Sequence, residues 1–573
     1  MPASRWLVPP PETDSNAAGL AHELGVGILA ARVLARRGFL NPAAARRFLS
    51  PSLGDLHSPG LLRDIEPAVD RLLAAIRNRE KILIYGDYDV DGTLSVVLLL
   101  KAIELAGGDA TYHVPHRLKD GYGMRTEVVE HAAAEGVRLI VSVDTGIRAA
   151  VVVQRAGELG IDVIVTDHHL PESVLPPALA VLNPNRPDCA YPQKDLCGAG
   201  VAFKLAQALL ERLGWAPAKV ERIAASLLKL VAIATVADVV PLTGENRAIV
   251  KYGLAGLSDP RNPGLRALFQ VAGLASGVAP NTHQVGFQIG PRVNAAGRMD
   301  TARQAIELFL TADPARAAAL ARDLNEHNTE RQRTEATTLE ACLGAPEDRT
   351  AAGLVFYGGD WHRGVLGIVA SRLVERLHRP IFVLGLDRES GTAQGSGRSV
   401  DGFHLLEALE SMPELFVRFG GHRHAAGVTL EAARVDEFRK RFAEYAAVRL
   451  TPEDFVPSYS VDARAELREL NDNAVDGVLR LAPFGHGNPE PLFLAAGVEV
   501  AAAPVLMKER HFRVAMRQAG RTLTLKAWNV AARAAELPAG ARMDILFNLE
   551  EDAYSASRGY APWCAVLRDW REA

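Results

Sequence analysis

The sequence predicts an α/β fold: a parallel-sheet domain, a long helix, a second and smaller α/β domain, and a run of short alternating strands at the carboxyl end. Three observations carry that prediction. Short Val/Ile/Leu runs alternate with helical stretches from about residue 67 to residue 166, which calls for crossover connections and a sheet covered on both faces. Acidic and histidine residues fall at the ends of successive apolar runs, where open α/β sheets place their ligands. Beyond about residue 449 the pattern changes to short alternating strands.

Residues 1 to about 60 mix prolines with a helical stretch over 20–48 and read as a lead-in without evident chemistry. A helix ending near Arg79 precedes Ile82-Leu83-Ile84-Tyr85, an apolar run with the look of a short buried strand. The strand opens into GDYDVDG, which sets Asp87, Asp89 and Asp91 at every second position before Gly92 and an apolar helix. Alternation along an extended segment turns these carboxylates to one side. Crowded anions repel unless a cation neutralises them, and hard oxygen ligands suit Mg²⁺ or Mn²⁺. A loop of caps and turns would use the same residues, so this motif alone decides nothing.

Its companions follow in order. A strand over 110–115, a helix over 125–135 and a strand over 139–144 end in Asp144. A helix over 148–158 leads to a strand over 162–166 that runs into Asp167-His168-His169. The helical stretch 224–237 then delivers Asp238. Each residue alone fits a helix cap or a core histidine. Together they supply the carboxylates and imidazole that a pair of metals needs, one carboxylate bridging.

With 573 residues, 48% hydrophobic and 23% charged, the chain has ordinary globular composition and room for three or four domains. A net charge of −4 gives no global basic field, which leaves room for a locally basic channel. Cys189, Cys197, Cys342 and Cys564 form no C-x-x-C pair and read as free thiols of a reducing compartment. No uninterrupted apolar run of about 18 residues and no signal-peptide core occur, so a cytoplasmic protein without a membrane partner is expected.

GDYDVDG, VDTG, DHH and VADVVPLTGENR, in that order, resemble the DHH phosphoesterase superfamily. PHRLKDGYG, IGPRVNAAGRM, WHRGVLGIVASRLVERLHRP, GSGRS and FGGHRHAAG narrow the resemblance to the RecJ family of single-strand-specific exonucleases, over roughly residues 60 to 530. The resemblance implies a lead-in at 1–60, a DHH catalytic domain at 61–310, a linking helix at 311–345, a DHHA1 domain at 346–449 and an OB-fold at 450–573. It implies 5′→3′ release of mononucleotides from single-stranded DNA with two Mn²⁺ or Mg²⁺ ions, in recombination and mismatch repair. Single-strand-binding protein and a RecQ-type helicase are the implied partners of a monomer that joins the nucleoid during repair.

Carried over by position, Asp89, Asp91, Asp144, His168 and Asp238 are the expected metal ligands, with Asp144 bridging. Asp87 is expected either on a metal or orienting the attacking water, and His169 in the inner or outer shell. Tyr85 stands where much of the superfamily has histidine, which leaves the ligand count of one metal open. Arg117, Arg298, Ser396 and Arg398 are the expected holders of a 5′-phosphate, since an arginine fork matches phosphate geometry. His422 and His424, among the small residues of FGGHRHAAG, are expected to contact DNA, with Zn²⁺ binding the other reading. Trp361 and His362 stand just before a helix whose Gly364 and Gly367 permit close contact.

Residues 314–343 are Ala-, Arg- and Glu-rich, with Asp313 as N-cap and Pro314 in the first turn, and read as one long helix. Residues 505–526 hold six Lys/Arg against one acidic residue, with His511 and Phe512 among them; alone they fit an amphipathic surface strand equally, and on the barrel that the resemblance implies they suit a bound single strand. Two rivals remain at this level. One is a small-molecule or oligonucleotide phosphoesterase of the same superfamily, and the other a catalytically silent replication scaffold.

Overall fold

In a computed structural model, residues 4–10, 15–117, 120–121, 123–299, 302–346 and 348–573 are described. Leu118, Lys119 and Tyr122 of PHRLKDGYG lie outside them. The chain forms two compact units. The larger holds His57–Asp238 and Tyr252–Pro457, and the smaller Ser4–Leu56, Val239–Lys251 and Ser458–Ala573.

The larger unit begins with five parallel strands in the order Ala110–His113, Lys81–Tyr85, Val137–Val143, Asp162–Thr166, Ala180–Leu182. Their continuous apolar runs are buried because helices cover both faces. One face packs Val129, Ala132, Val153 and Ala156 of the helices Thr126–Ala134 and Ala150–Glu158. The helix Val90–Leu105 is apolar nearly all round and packs on Gly198–Glu211 and Pro217–Ala237. The sheet therefore has the architecture expected, with Ala180–Leu182 as an added edge strand.

The linking helix spans Pro314–Gly344, and Asp313 Oδ1 caps it by accepting from the Ala315 amide at 2.9 Å. A second sheet follows, in the order Phe416–Gly421, Ala425–Glu431, Thr392–Arg398, Ile381–Asp387, Leu354–Gly359. It is antiparallel except for its last pair, so GSGRS and FGGHRHAAG come from neighbouring strands.

The smaller unit contains a closed barrel. Phe493–Val500, Arg542–Glu551, Trp563–Glu572, Arg521–Ala527 and His511–Gln518 neighbour one another in turn, and the last pairs back to the first. That is the expected OB-type barrel. The stretch 4–56, read from sequence as a lead-in, belongs to this unit. Arg5–Leu7 pairs with Ser458–Ser460, and Leu29, Val33, Leu34 and Phe48 share a core with Val475, Phe547 and Trp570. Helix spacing of the apolar residues over 20–48 marked the helices, but no local signal names a partner so distant in sequence. Arg247, from 239–251, is wholly buried here. It donates to the carbonyls of Phe48, Leu481, Ala482 and Pro483 and lies 3.8 Å from the Phe48 ring.

All four cysteines are free thiols. Among the described residues no single helix is long and apolar enough to cross a membrane.

Candidate metal centre and phosphate-binding cluster

The strand Lys81–Tyr85 ends inside the sheet, and the chain turns sharply through Asp87 before the next helix begins. Gly92 makes this turn possible, since a Cβ there would stand 2.7 Å from the Asp87 backbone. Asp89 caps the helix, accepting from the Gly92 amide at 3.0 Å. Asn294 Oδ1 accepts from the Val90 amide at 2.9 Å and ties the turn to the helix Gly290–Met299.

Asp91 is buried at the amino end of the helix Gly198–Glu211. Its two carboxylate oxygens accept from the amides of Gly198 (2.6 Å) and Ala199 (2.7 Å), and the Cys197 thiol bonds it too. A helix amino terminus is a natural anion seat, so this carboxylate is fixed in direction. Asp144 follows the strand Val137–Val143 in a left-handed turn (φ 58°). Asp238 caps the carboxyl end of Pro217–Ala237, where the helix dipole disfavours an anion and favours a cation beside it.

These residues converge on His168. Its Nε2 lies 3.2 Å from Asp144 Oδ1, 3.7 Å from Asp238 Oδ2 and 3.8 Å from Asp91 Oδ2. Among the described residues, three groups of side chains bring their donor atoms within 4.8 Å of one another: Asp87, Asp89 and Asp144; Asp144, His168 and His169; Asp91, His168 and Asp238. Asp144 and His168 each belong to two of the groups. Asp87 and Asp89 thus meet Asp144, while Asp91 and Asp238 meet His168.

The electrostatics call for cations. Burial, then the neighbouring Asp89, pushes Asp91 up to about 7, and burial with Asp91 pushes Asp238 up to about 9. Burial raises Asp87 and Asp144 well above the usual carboxylate range, helped by the other aspartates. Burial and the adjacent His169 lower His168 to about 4, so its ring is a neutral donor at pH 7. Among the described residues, the buried Asp87 Oδ1 and Asp238 Oδ2 have no hydrogen-bond partner. Oxygens of this kind, with a neutral imidazole, fit Mn²⁺ or Mg²⁺. The acidic and histidine groups are positioned to bind metal.

Asp167 serves differently. Its Oδ1 accepts from the amides of His168 (2.8 Å) and His169 (3.1 Å) and lies 2.7 Å from His169 Nδ1, while Oδ2 accepts from the Ile147 amide at 2.9 Å. Burial works to lower His169, but the Asp167 hydrogen bond and charge outweigh it, and His169 titrates above its ordinary value. Asn183 and Asn185 hold the carbonyls of His169 and His168. Tyr85, in contrast, is buried and bonds the Gly123 carbonyl at 3.3 Å.

A cluster of arginines adjoins this centre. Arg298 donates to the Gly364 carbonyl at 2.9 Å. Burial first, then Arg117, Arg331 and Arg398, pulls it down to about 9. Burial and Arg117 lower Arg398 as well. The Arg117 guanidinium lies 4.8 Å from the Tyr88 ring centroid. Arg398 and Ser396 face Gly367, where a Cβ would stand 3.0 Å from one and 3.6 Å from the other. The arginines named from sequence thus gather into one excess of positive charge, which invites a polyanion. Sequence reading missed Arg331, buried and clasped by Asn328 Oδ1 (3.1 and 3.3 Å) and Glu335 (2.8 Å). In a helix rich in arginine it carries no distinguishing signal. It also missed the Cys197-Gly198-Ala199 seat, whose glycine at a helix start was the available clue.

His422, in the turn between Phe416–Gly421 and Ala425–Glu431, is lowered by burial and by Arg148, His169 and His404. The charge of His169 therefore reaches His422. Among the described residues no metal-binding group includes His422 or His424, and the Zn²⁺ reading gains nothing.

On the barrel, the expectation for 505–526 needs correction. Phe512 is fully buried against Trp570 and is core, because strand alternation turns it inward. Arg517 and Lys526 are occupied by Glu499 and Asp552 at 2.5 Å. An exposed aromatic beside this stretch is Trp528, packed edge-on to His511 at 5.1 Å, with Lys508, Arg510 and Arg513 exposed nearby.

Family models match in three places: the DHH family, N-terminal domain, over residues 81–235; the DHHA1 domain over 350–447; and the RecJ OB domain over 461–560. A protein of Bacillus subtilis named single-stranded-DNA-specific exonuclease RecJ is 38% identical over 550 residues, 95% of this chain and 68% of that one. Its Escherichia coli namesake is 39% identical, over 80% of this chain and 82% of that one. The crystal structure of RecJ with Mn²⁺ from Thermus thermophilus aligns with 99% of this chain and 80% of its own, at 32% identity and a TM-score of 0.83. The Mg²⁺ complex of that protein aligns with 99% of this chain and 78% of its own, at 30% identity and a TM-score of 0.76. Family models in matching order, relatives alike over most of their length and one shared fold lead to one conclusion: the chain belongs to the RecJ family.

Proposed function

We propose that this protein is a single-stranded-DNA-specific exonuclease that hydrolyses phosphodiesters from the 5′ end and releases mononucleotides. The observation that carries this reading is the sharing of Asp144 and His168 between adjoining groups of metal-binding side chains, with an arginine cluster beside them. Asp89, Asp91, Asp144, His168 and Asp238 would hold two Mn²⁺ or Mg²⁺ ions, Asp144 in common. When bound, the ions supply the charge neutralisation and Lewis acidity that phosphodiester hydrolysis needs.

The chain's own groups do the remainder. Asp87 presents a carboxylate oxygen without a hydrogen-bond partner, suited to a metal or to orienting the attacking water. His169, its Nδ1 held by Asp167, which raises its titration above the ordinary value, donates to a phosphate oxygen of the substrate. Arg117, Arg298, Ser396 and Arg398 hold the terminal phosphate, and His422 contacts the strand from its turn. The barrel holds the strand through Trp528 and its exposed basic residues.

Gap processing in recombination and mismatch repair is the cellular setting of this activity, in a cytoplasmic protein that joins the nucleoid. Single-strand-binding protein and a RecQ-type helicase would supply and expose its substrate, with the enzyme acting as a monomer. Digestion of end-labelled DNA with and without Mn²⁺ tests the reading. Mononucleotides should leave the 5′ end of a single strand, and equal cleavage of a blunt duplex or a closed circle would overturn it.

A further inference from the structure

The helical run from Thr282 to Met299 in the larger unit follows the metal-binding groups along its length. Near its start it winds as a π-helix over Val285–Ile289. This turn lies against Val236 and Ala237, the last residues before Asp238: a Cβ built at Gly286 or Gly290 would meet them at 3.9 or 3.6 Å, ordinary van der Waals contact. Further on, Asn294 bonds the Val90 amide and Arg298 joins the arginine cluster.

The π-turn exposes an aromatic pair that packing does not account for. Phe287 is 63% exposed, although its neighbours Val285 and Ile289 are buried. The His283 ring lies 4.7 Å from it at an interplanar angle of 30°. π-turns inside helices are frequent at functional sites. An exposed phenyl ring beside an imidazole is the chemistry that takes up the π-face of a base without regard to sequence.

We infer that Phe287 and His283 form a stacking platform for a base of the single strand, on the far side of the metal-binding groups from the arginine cluster. At ~1.5 Å rise per residue, Phe287 stands about 10 Å along the helix from Asn294 and about 16 Å from Arg298. A strand whose terminal phosphate sits among the arginines passes the metal-binding groups before it reaches Phe287. At about 3.4 Å per stacked nucleotide, the platform meets a base a few nucleotides in from the end. The inference rests on the exonuclease reading for the identity of the strand. A protein partner for the same ring is the alternative that the test removes.

The test uses the full-length protein with Phe287→Ala and Phe287→Trp, each checked for an unchanged melting temperature. In metal-free protein, a short single strand carrying 2-aminopurine near its 5′ end reports stacking by fluorescence quenching, independently of turnover. Quenching at one position should be lost in Phe287→Ala and restored in Phe287→Trp. With Mn²⁺, the Ala variant should show roughly tenfold higher KM on a long strand, and the ratio of kcat/KM on the strand to that on a dinucleotide should fall by about the same factor. An abasic nucleotide at the quenched position should bring the wild type to the variant's level. Quenching that survives Phe287→Ala, or equal losses on strand and dinucleotide, would overturn the platform while leaving the exonuclease reading intact. Wild type that quenches the probe but digests no single strand would overturn the exonuclease reading and keep the platform.

Discussion

Gly198 lies directly against Asp144: a Cβ added to the glycine would stand 2.7 Å from both Cβ and Oδ1 of the aspartate. The same glycine donates its amide to Asp91 at 2.6 Å. One residue without a side chain thus sets the spacing of two carboxylates. Gly198→Ala should abolish activity and weaken Mn²⁺ binding at least tenfold, read by electron paramagnetic resonance of free Mn²⁺. Gly157→Ala, in a helix with nothing within 4 Å of the added methyl, should keep both and gain a few tenths of a kcal/mol of stability.

Asp144 belongs to two of the metal-binding groups, so its loss should be felt by both. Asp144→Ala should lower kcat by more than the roughly 10²–10³-fold typical of losing one transition-state donor. Calorimetric titration should find fewer Mn²⁺ bound per chain. Retained activity would sink the ligand assignment.

Stability of the metal-free protein should fall as pH rises. Asp91 at about 7 and Asp238 at about 9 have folded values above the unfolded carboxyl value, so the folded state holds more protons in that window. Their contribution is complete below about pH 4 and is lost as pH rises through the folded values. His168, lowered to about 4, acts in the opposite sense between about 4 and 6.5, one group against the several raised carboxyls. Melting temperature should therefore drop between about pH 6 and 9 in chelator, and saturating Mn²⁺ should remove most of the drop.

The arginine cluster predicts end selectivity. Arg398→Ala and Arg117→Ala should each cut kcat/KM on a 5′-phosphorylated strand about 10–100-fold, as expected for losing a charged hydrogen bond of ~1.5–3 kcal/mol. The cut should be smaller on a 5′-hydroxyl strand. Equal losses on the two ends would assign these arginines elsewhere.

Local chemistry was legible in the sequence and long-range partnership was not. The strand and turn of GDYDVDG follow from apolar run, alternating aspartates and glycine, and the structure places Asp87, Asp89, Asp91, Asp144, His168 and Asp238 in adjoining groups. Asp313 and Pro314 announced the linking helix, which begins where they place it. Phe512 misled because basic and aromatic interleaving ignores which way a strand side chain points; period-two alternation sends Phe512 into the core and leaves the outer face to Arg513. Arg331 and Arg247 could not be found, since what distinguishes them is burial among groups distant in sequence. The pairing of residues 4–56 with the barrel was hidden for the same reason.

That pairing has a consequence for how the molecule is made. Among the described residues, the strand Arg5–Leu7 finds its hydrogen-bonding partner at Ser458–Ser460, and Leu29, Val33 and Phe48 share their core with the barrel. At ~5–20 residues per second on the ribosome, about 450 residues of synthesis separate the two, roughly half a minute or more. The first helices must wait through that interval with their apolar sides uncovered. A nascent chain halted anywhere before the barrel should therefore be the form that chaperones capture and proteases remove.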